Sequence, residues 1–138
     1  MEFITVEQFQ EQTLEVQKVF IDWWKPSIGD IYCNEFLINF KGDKIQKLEV
    51  VRNTTEINYI KDVSEFLCVL LTEGQLRKFI EDKTKTKIET SLTVYNQYAL
   101  WLVKVKGQDY ETFDTREEDL LQAYWKVACM IANDICKI

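Results

Sequence analysis

The order of hydrophobic patterns along the chain constrains its fold more than any other feature. Apolar residues recur at helical spacing near both ends, whereas β-branched and aromatic runs of strand length fill the middle. Because helical and strand-like segments occur in separate blocks, we expect an α+β fold. The expected architecture is an antiparallel sheet of about five or six strands, with N-terminal and C-terminal helices packed on it and one short inserted helix. The 138 residues suit a single domain, 1–138.

Helix-start and helix-end signals mark the two terminal helices. Thr5 is the expected N-cap of the first, and Pro26 ends it because the residue before proline avoids helical dihedrals. The last helix is expected to begin at a capping box formed by residues 115–118, with a broad apolar face after it. One apolar stripe is expected along the first helix, consisting of Val6, Phe9, Thr13, Val16, Phe20 and either Trp23 or Trp24.

Turn signals divide the strand-like runs of the first half. Residues 31–40 and 44–51 flank Gly42-Asp43, a two-residue hairpin signal, and the uneven alternation of the second arm predicts a bulge or a register offset. Residues 53–62 are polar and indicate either a loop or a short edge strand. The run FLCVLL, residues 66–71, then predicts one buried strand.

The second half begins with another capping box. Thr72 and Gln75 match its pattern and predict a short helix that ends near Lys83. The run KTKTK that follows is expected to be a solvated turn. Three further strands are expected at residues 88–95, 98–105 and 110–113, with Asn96-Gln97 as the turn between the first two.

Missing residues and motifs argue against catalysis. The chain has no histidine, which excludes Ser-His and Cys-His nucleophile pairs, and it contains no phosphate loop or nucleophile elbow. No uninterrupted apolar run exceeds six residues, the length of FLCVLL, which is far short of the ~20 that a membrane span needs. We therefore expect a cytoplasmic protein with no enzymatic activity, no cofactor, no membrane contact and no bound metal. The cysteines, expected to be buried thiols, are Cys33, Cys68, Cys129 and Cys136.

Two adjacent tryptophans stand at the end of the first predicted helix. Neighbouring residues on a helix point about 100° apart, so Trp23 and Trp24 cannot both lie at the centre of the apolar stripe. One ring is expected in the core, and the other is expected either to pack under the corner formed by residues 25–27 or to lie partly exposed. A partly exposed ring would be a candidate protein contact, because tryptophan is enriched at binding hot spots.

Charge is unevenly distributed in this acidic chain, whose net charge is −6. The run DYETFDTREED supplies the candidate protein-contact acids Asp114, Glu117, Glu118 and Asp119. Helix capping explains most of this run, and the alternative is a string of carboxylates that imitates phosphates or pairs with a basic partner. The lysine-bearing strands are either a solvated hairpin or a site for a small anionic ligand, with Lys85, Lys87, Lys104 and Lys106 as the candidate contacts. No direct nucleic-acid binding is expected.

Three segments, VFIDWWKPSIGDIY, LLTEGQLRKFIED and REEDLLQAYWKVA, together resemble small uncharacterised proteins of phages and prophages of low-GC Gram-positive bacteria. The resemblance covers roughly a quarter of the chain, in motifs that are helix ends and core faces. It implies an accessory protein that acts by binding in the host cytoplasm. The first expectation is a stoichiometric inhibitor of a basic host protein, such as an anti-CRISPR protein directed at a defence nuclease.

Two other functions stay open at this point. One is a binder that sequesters an anionic nucleotide signal near the lysine-bearing strands. The other is a structural or packaging accessory protein, for which self-association, including a homodimer, would be expected.

Overall fold

The computed structural model has five helices and six strands in the part of the chain that it describes, which confirms the α+β class. The described residues are 2–34, 41–42, 47–63, 67–104 and 110–137. Their strands form two antiparallel sheets of three strands each, where the sequence analysis expected one sheet. The chain divides into two compact units: residues 5–71 are the N-terminal unit, and residues 1–4 with 72–138 are the C-terminal unit.

The N-terminal unit combines three helices with the first sheet. Its elements are α1 (Val6–Gln10), α2 (Leu14–Trp23), β1 (Ile31–Asn34), β2 (Lys47–Val50), α3 (Thr54–Val63) and β3 (Leu67–Val69). β1 is the central strand and pairs antiparallel with both β2 and β3. α1 and α2 pack against β3, whose residues are all buried, as the apolar run predicted. The residues with no exposed surface in this unit include Phe9, Phe20, Cys33, Ile60, Cys68 and Leu71.

The N-terminal apolar stripe is divided between two helices, so the expectation of one continuous helix was wrong. α1 ends at Gln10, and the Thr13 hydroxyl caps α2 by accepting a hydrogen bond from the Val16 N–H at 3.2 Å. Thr13 therefore bonds to the backbone instead of packing in the stripe. The expected cap at Thr5 is confirmed, because Thr5 and Gln8 satisfy each other's backbone N–H groups.

The first hairpin has the expected strands in an offset register. Ile31 pairs with Val50, whereas an uninterrupted hairpin with a two-residue turn at Gly42-Asp43 would place Ile31 opposite Thr54. The four-residue difference agrees with the offset that the uneven second arm predicted. Asp43 and most of the two arms near the turn lie outside the described residues.

All of residues 53–62 except Asn53 belong to helix α3, so the expectation of a loop or an edge strand was wrong. The Asn53 side chain accepts a hydrogen bond from the Glu56 N–H at 2.9 Å, and Glu56 reaches back to accept one from the Arg52 N–H at 2.7 Å. This reciprocal arrangement starts the helix much as a capping box does. Ile60 is the buried residue of α3, and one buried residue is too short a stripe to reveal a helix by periodicity.

The C-terminal unit packs two helices on one face of the second sheet. Its elements are α4 (Glu73–Thr84), β4 (Thr86–Leu92), β5 (Tyr98–Lys104), β6 (Tyr110–Glu117) and α5 (Leu120–Cys136). β5 is the central strand, α5 packs on β5 and β6, and α4 packs on β4 and α5. The helix-covered face of the sheet buries Ile88, Leu100 and Leu102. Among the described helices, none is both long enough and apolar enough to cross a membrane.

The predicted cap at Thr72 is confirmed, but the connections on both sides of β4 differ from the expectation. The KTKTK run is not a turn, because α4 continues to Thr84, Lys85 alone takes a left-handed φ of 57°, and Thr86 already belongs to β4. At its other end β4 stops at Leu92, so the hairpin loop comprises residues 93–97.

The second terminal helix begins later than its capping-box pattern predicts. Thr115 lies in β6 and is 2% exposed, and its hydroxyl donates a hydrogen bond to the Tyr98 carbonyl at 2.6 Å. The pairing of β5 with β6 shifts at this point, and Arg116 takes a φ of 57°. Asp119 is the actual N-cap of α5 and accepts a hydrogen bond from the Gln122 N–H at 3.2 Å. A long-range hydrogen bond thus overrides the local signal at Thr115.

Two side chains of α4 close the edge of β4 at Ile88. The Arg77 guanidinium donates to the Ile88 carbonyl at 2.8 Å, and Glu81 accepts from the Ile88 N–H at 2.9 Å. Arg77 and Glu81 are themselves 3.8 Å apart as an ion pair. The two side chains therefore take the place of a neighbouring strand, which leaves this backbone position satisfied.

Candidate protein-contact site

The stretch from Trp24 to Asp30 forms a hydrogen-bonded corner. The Asp30 carboxylate accepts bonds from the Trp24 indole N–H and the Ser27 backbone N–H, both at 2.9 Å. The Asp30 N–H donates to the Ser27 carbonyl at 3.0 Å, and Gly29 has a φ of 97° in the third position of this turn. Val51 pairs with both Gly29 and Asp30, as in a bulge with glycine at its first position. The tryptophan-proline-glycine pattern therefore has a structural role.

One of the two adjacent tryptophans is core and the other is half-buried, which confirms the expected division. Trp24 is 6% exposed, and its ring centroid lies 6.4 Å from that of Tyr32. Burial, followed by the negative charges of Glu49 and Glu56, raises the pKa of Tyr32 above its ordinary value of 10.0. Trp24 is thus a structural residue, while Trp23, at the end of α2, stays a predicted contact residue.

The four candidate acids gather where β6 passes into α5. Asp114 and Glu117 lie on β6, Glu118 follows the strand, and Asp119 caps the helix. Asp114, Glu118 and Asp119 are exposed, and Glu117 is half-buried. Helix capping was expected to explain most of the acidic run, but only Asp119 caps α5, and Asp114 and Glu117 belong to a strand. The shifted helix start nevertheless leaves the four carboxylates on one short segment.

The β4–β5 hairpin carries an exposed apolar group that the sequence analysis did not identify. Val94 is 92% exposed, Tyr95 is 76% exposed, and Leu92 at the end of β4 is 58% exposed. The β-branched and aromatic content of residues 88–95 assigned Val94 and Tyr95 to a strand, whereas both belong to the projecting loop. The signal in the sequence was Asn96, a residue type that tolerates the left-handed conformation such loops need, and its φ is 57°.

The register of the sheet brings the apolar loop and the acids to the same end. Tyr98 is the partner of Leu92 on β4 and of Glu117 on β6. The loop that precedes Tyr98 and the acidic segment that includes Glu117 therefore flank one end of β5. We call this surface the hairpin end; its members are residues 92–97 with Asp114, Glu117, Glu118 and Asp119.

The candidate lysines do not form a shared pocket among the described residues. Lys104 is the partner of Thr86 and Lys87 is the partner of Val103, so the two lysines project from opposite faces of the sheet. Lys85 is the left-handed residue that caps α4. Lys106 lies outside the described residues.

Comparison of the chain with protein-family models, with curated proteins and with solved structures finds no match in any of the three. The assignment of a site accordingly depends on the geometry of the chain. The described residues contain no group of three or more cysteine, aspartate or glutamate side chains placed to hold a metal ion.

Proposed function

We propose that this chain is a phage-type accessory protein that binds a basic host protein stoichiometrically and blocks the surface that it covers. The hairpin end is the contact surface. The observation that carries the proposal is the exposure of three carboxylates, on Asp114, Glu118 and Asp119, at the sheet end where the apolar loop projects. An apolar centre with a charged margin is the usual composition of a protein-binding surface.

The charges of the hairpin end favour a basic partner. The acidic segment places four carboxylates, on residues 114 and 117–119, against the single guanidinium of Arg116. Complementary charges accelerate association and select among partners more than they add to affinity. A basic surface that normally receives nucleic acid would present the lysine and arginine side chains that such a segment attracts.

A nucleotide-binding function has weaker support. It requires lysines that converge on one anion, and Lys87 and Lys104 project from opposite faces of their sheet. We therefore put forward protein binding alone.

Affinity capture from a lysate of a low-GC Gram-positive bacterium tests the proposal. The tagged chain is expected to retain one basic protein at equal stoichiometry, and raising the salt from about 50 mM to about 500 mM should release it, because screening weakens attraction between exposed charges. Asp114→Asn combined with Glu118→Gln should reduce retention. The matched control is Asp62→Asn with Glu15→Gln, which removes the same charge from exposed positions of the N-terminal unit. Equal retention by the two double variants would contradict the proposal.

A further inference from the structure

We infer that the loop of the hairpin end enters an apolar pocket on the partner, a pocket whose margin carries lysine or arginine, and that Tyr95 is its main anchor. This inference rests on the proposed function and specifies what the partner must offer. It begins from the shape and composition of residues 93–97.

The backbone of the loop is held in place by hydrogen bonds centred on Thr93. The Thr93 N–H donates to the Gln97 carbonyl at 2.8 Å, and the Thr93 carbonyl accepts from the Asn96 N–H at 3.0 Å. The Thr93 hydroxyl accepts from the N–H groups of Tyr95 and Gln97, each at 3.3 Å. A loop fixed in this way has little backbone freedom left to lose on binding, which reduces the entropic cost of association.

The side chains on this loop differ from the residue types that hairpin turns usually carry. Hairpin loops normally carry glycine, asparagine, aspartate or serine, whereas Val94 and Tyr95 here are apolar and aromatic and are 92% and 76% exposed. Tyrosine provides a large amphipathic contact area with few rotatable bonds and is enriched at binding hot spots. Exposed apolar groups bordered by polar residues mark interaction sites.

The acidic residues beside the loop distinguish among the possible binding partners. A second copy of the chain would bring two sets of carboxylates at residues 114 and 117–119 towards each other, and like charges oppose that contact. A membrane surface with anionic lipids would repel the same carboxylates. A pocket bordered by lysine or arginine accommodates both the apolar loop and its acidic neighbours.

The two parts of the surface are expected to act on different stages of binding. Exposed charges steer the encounter, so neutralising Asp114 and Glu118 should mainly slow association and flatten its dependence on salt. The aromatic anchor becomes buried in the complex, so truncating Tyr95 should mainly speed dissociation.

Photo-crosslinking in the same bacterial lysate tests the inference and identifies directly the molecule that contacts Tyr95. The full chain carries p-benzoyl-phenylalanine in place of Tyr95 or, as a control, in place of Tyr59, which is 52% exposed on α3 of the N-terminal unit. We expect position 95 to crosslink to an apolar peptide of a basic protein, near lysine or arginine, and position 59 not to do so. In parallel, Tyr95→Ala should raise the concentration needed for half-maximal capture on the order of 30-fold, with Tyr95→Phe and Tyr59→Ala changing it by less than about 3-fold.

Each other outcome overturns the inference. Crosslinks from position 95 to a second copy of the chain or to lipid would identify a different binding partner. Capture of a basic protein that is insensitive to Tyr95→Ala, or that depends instead on Trp23→Ala, would refute the anchor while leaving the proposed function intact. Failure of the unmodified chain to capture any basic protein would refute the proposed function as well.

Discussion

Substitution of Asp30 by alanine tests the structural role of the tryptophan corner. Asp30 accepts hydrogen bonds from the Trp24 indole and the Ser27 N–H, both at 2.9 Å. The Ser27 N–H belongs to an exposed residue and can bond to water, whereas Trp24 is 6% exposed and its indole would lose its acceptor. A buried donor left without a partner costs about 1–3 kcal/mol, so we expect Asp30→Ala to lower the free energy of unfolding by about 2 kcal/mol.

Urea denaturation at neutral pH, followed by tryptophan fluorescence and far-ultraviolet circular dichroism, measures this loss. A decrease of about 2 kcal/mol corresponds to a melting temperature lowered by roughly 6–8 °C for a chain of this size. Asp30→Asn keeps an acceptor oxygen and should lose less than Asp30→Ala. Trp24→Phe removes the donor, so a double-mutant cycle with Asp30→Ala should give a coupling energy of about 1–2 kcal/mol. A change below about 0.5 kcal/mol for Asp30→Ala, or additive effects in the cycle, would show that the hydrogen bond between Trp24 and Asp30 does not stabilise the corner.

Three further predictions concern stability and thiol chemistry. The added Cβ of Gly29→Ala would contact no neighbouring atom, but alanine would have to keep a φ of 97°, so we expect the free energy of unfolding to fall by about 1–2 kcal/mol. Gly74→Ala in α4 should be neutral or stabilising. Thermal melts of the two variants test the difference. Glu81→Ala removes the acceptor of the Ile88 N–H and should cost about 1–3 kcal/mol in urea denaturation, with Glu81→Gln losing less. Burial raises the pKa of the Cys129 thiol to about 12, so it should resist a thiol reagent at pH 8 in the folded protein. Above pH 9.0, the ordinary pKa of a cysteine thiol, Cys129 loses its proton in the unfolded chain but keeps it in the folded protein, so the free energy of unfolding should fall as the pH rises. Cys129→Ala should reduce this fall.

Local signals predicted two of the helix starts. The caps at Thr5 and Thr72 form as their patterns indicate. The box at Thr115 matches the same pattern and fails, because its hydroxyl bonds to Tyr98, 17 positions away along the chain. Capping patterns describe residues within a few positions of one another, so they do not include a hydrogen bond to a residue that is distant in the sequence.

The candidate site was predictable only in part for the same reason. The acids were identified from their density in the sequence, and helical geometry indicated that the two tryptophans differ in burial without showing which one is in the core. The apolar loop was missed because the β-branched and aromatic content of residues 88–95 is typical of a strand, whereas β4 ends at Leu92 and residues 93–97 form the loop. The loop and the acids lie at one end of the sheet because Tyr98 pairs with Glu117. This pairing joins residues that are far apart in the sequence, so local patterns do not reveal it.

Hydrogen exchange of the chain, alone and in complex with the captured basic protein, shows which residues the partner covers. Binding is expected to slow exchange at residues 93–98 and 114–120, in the loop and the acidic segment of the hairpin end. Slowed exchange confined to the N-terminal unit, around Trp23 and the end of α2, with residues 93–98 unchanged, would contradict this expectation.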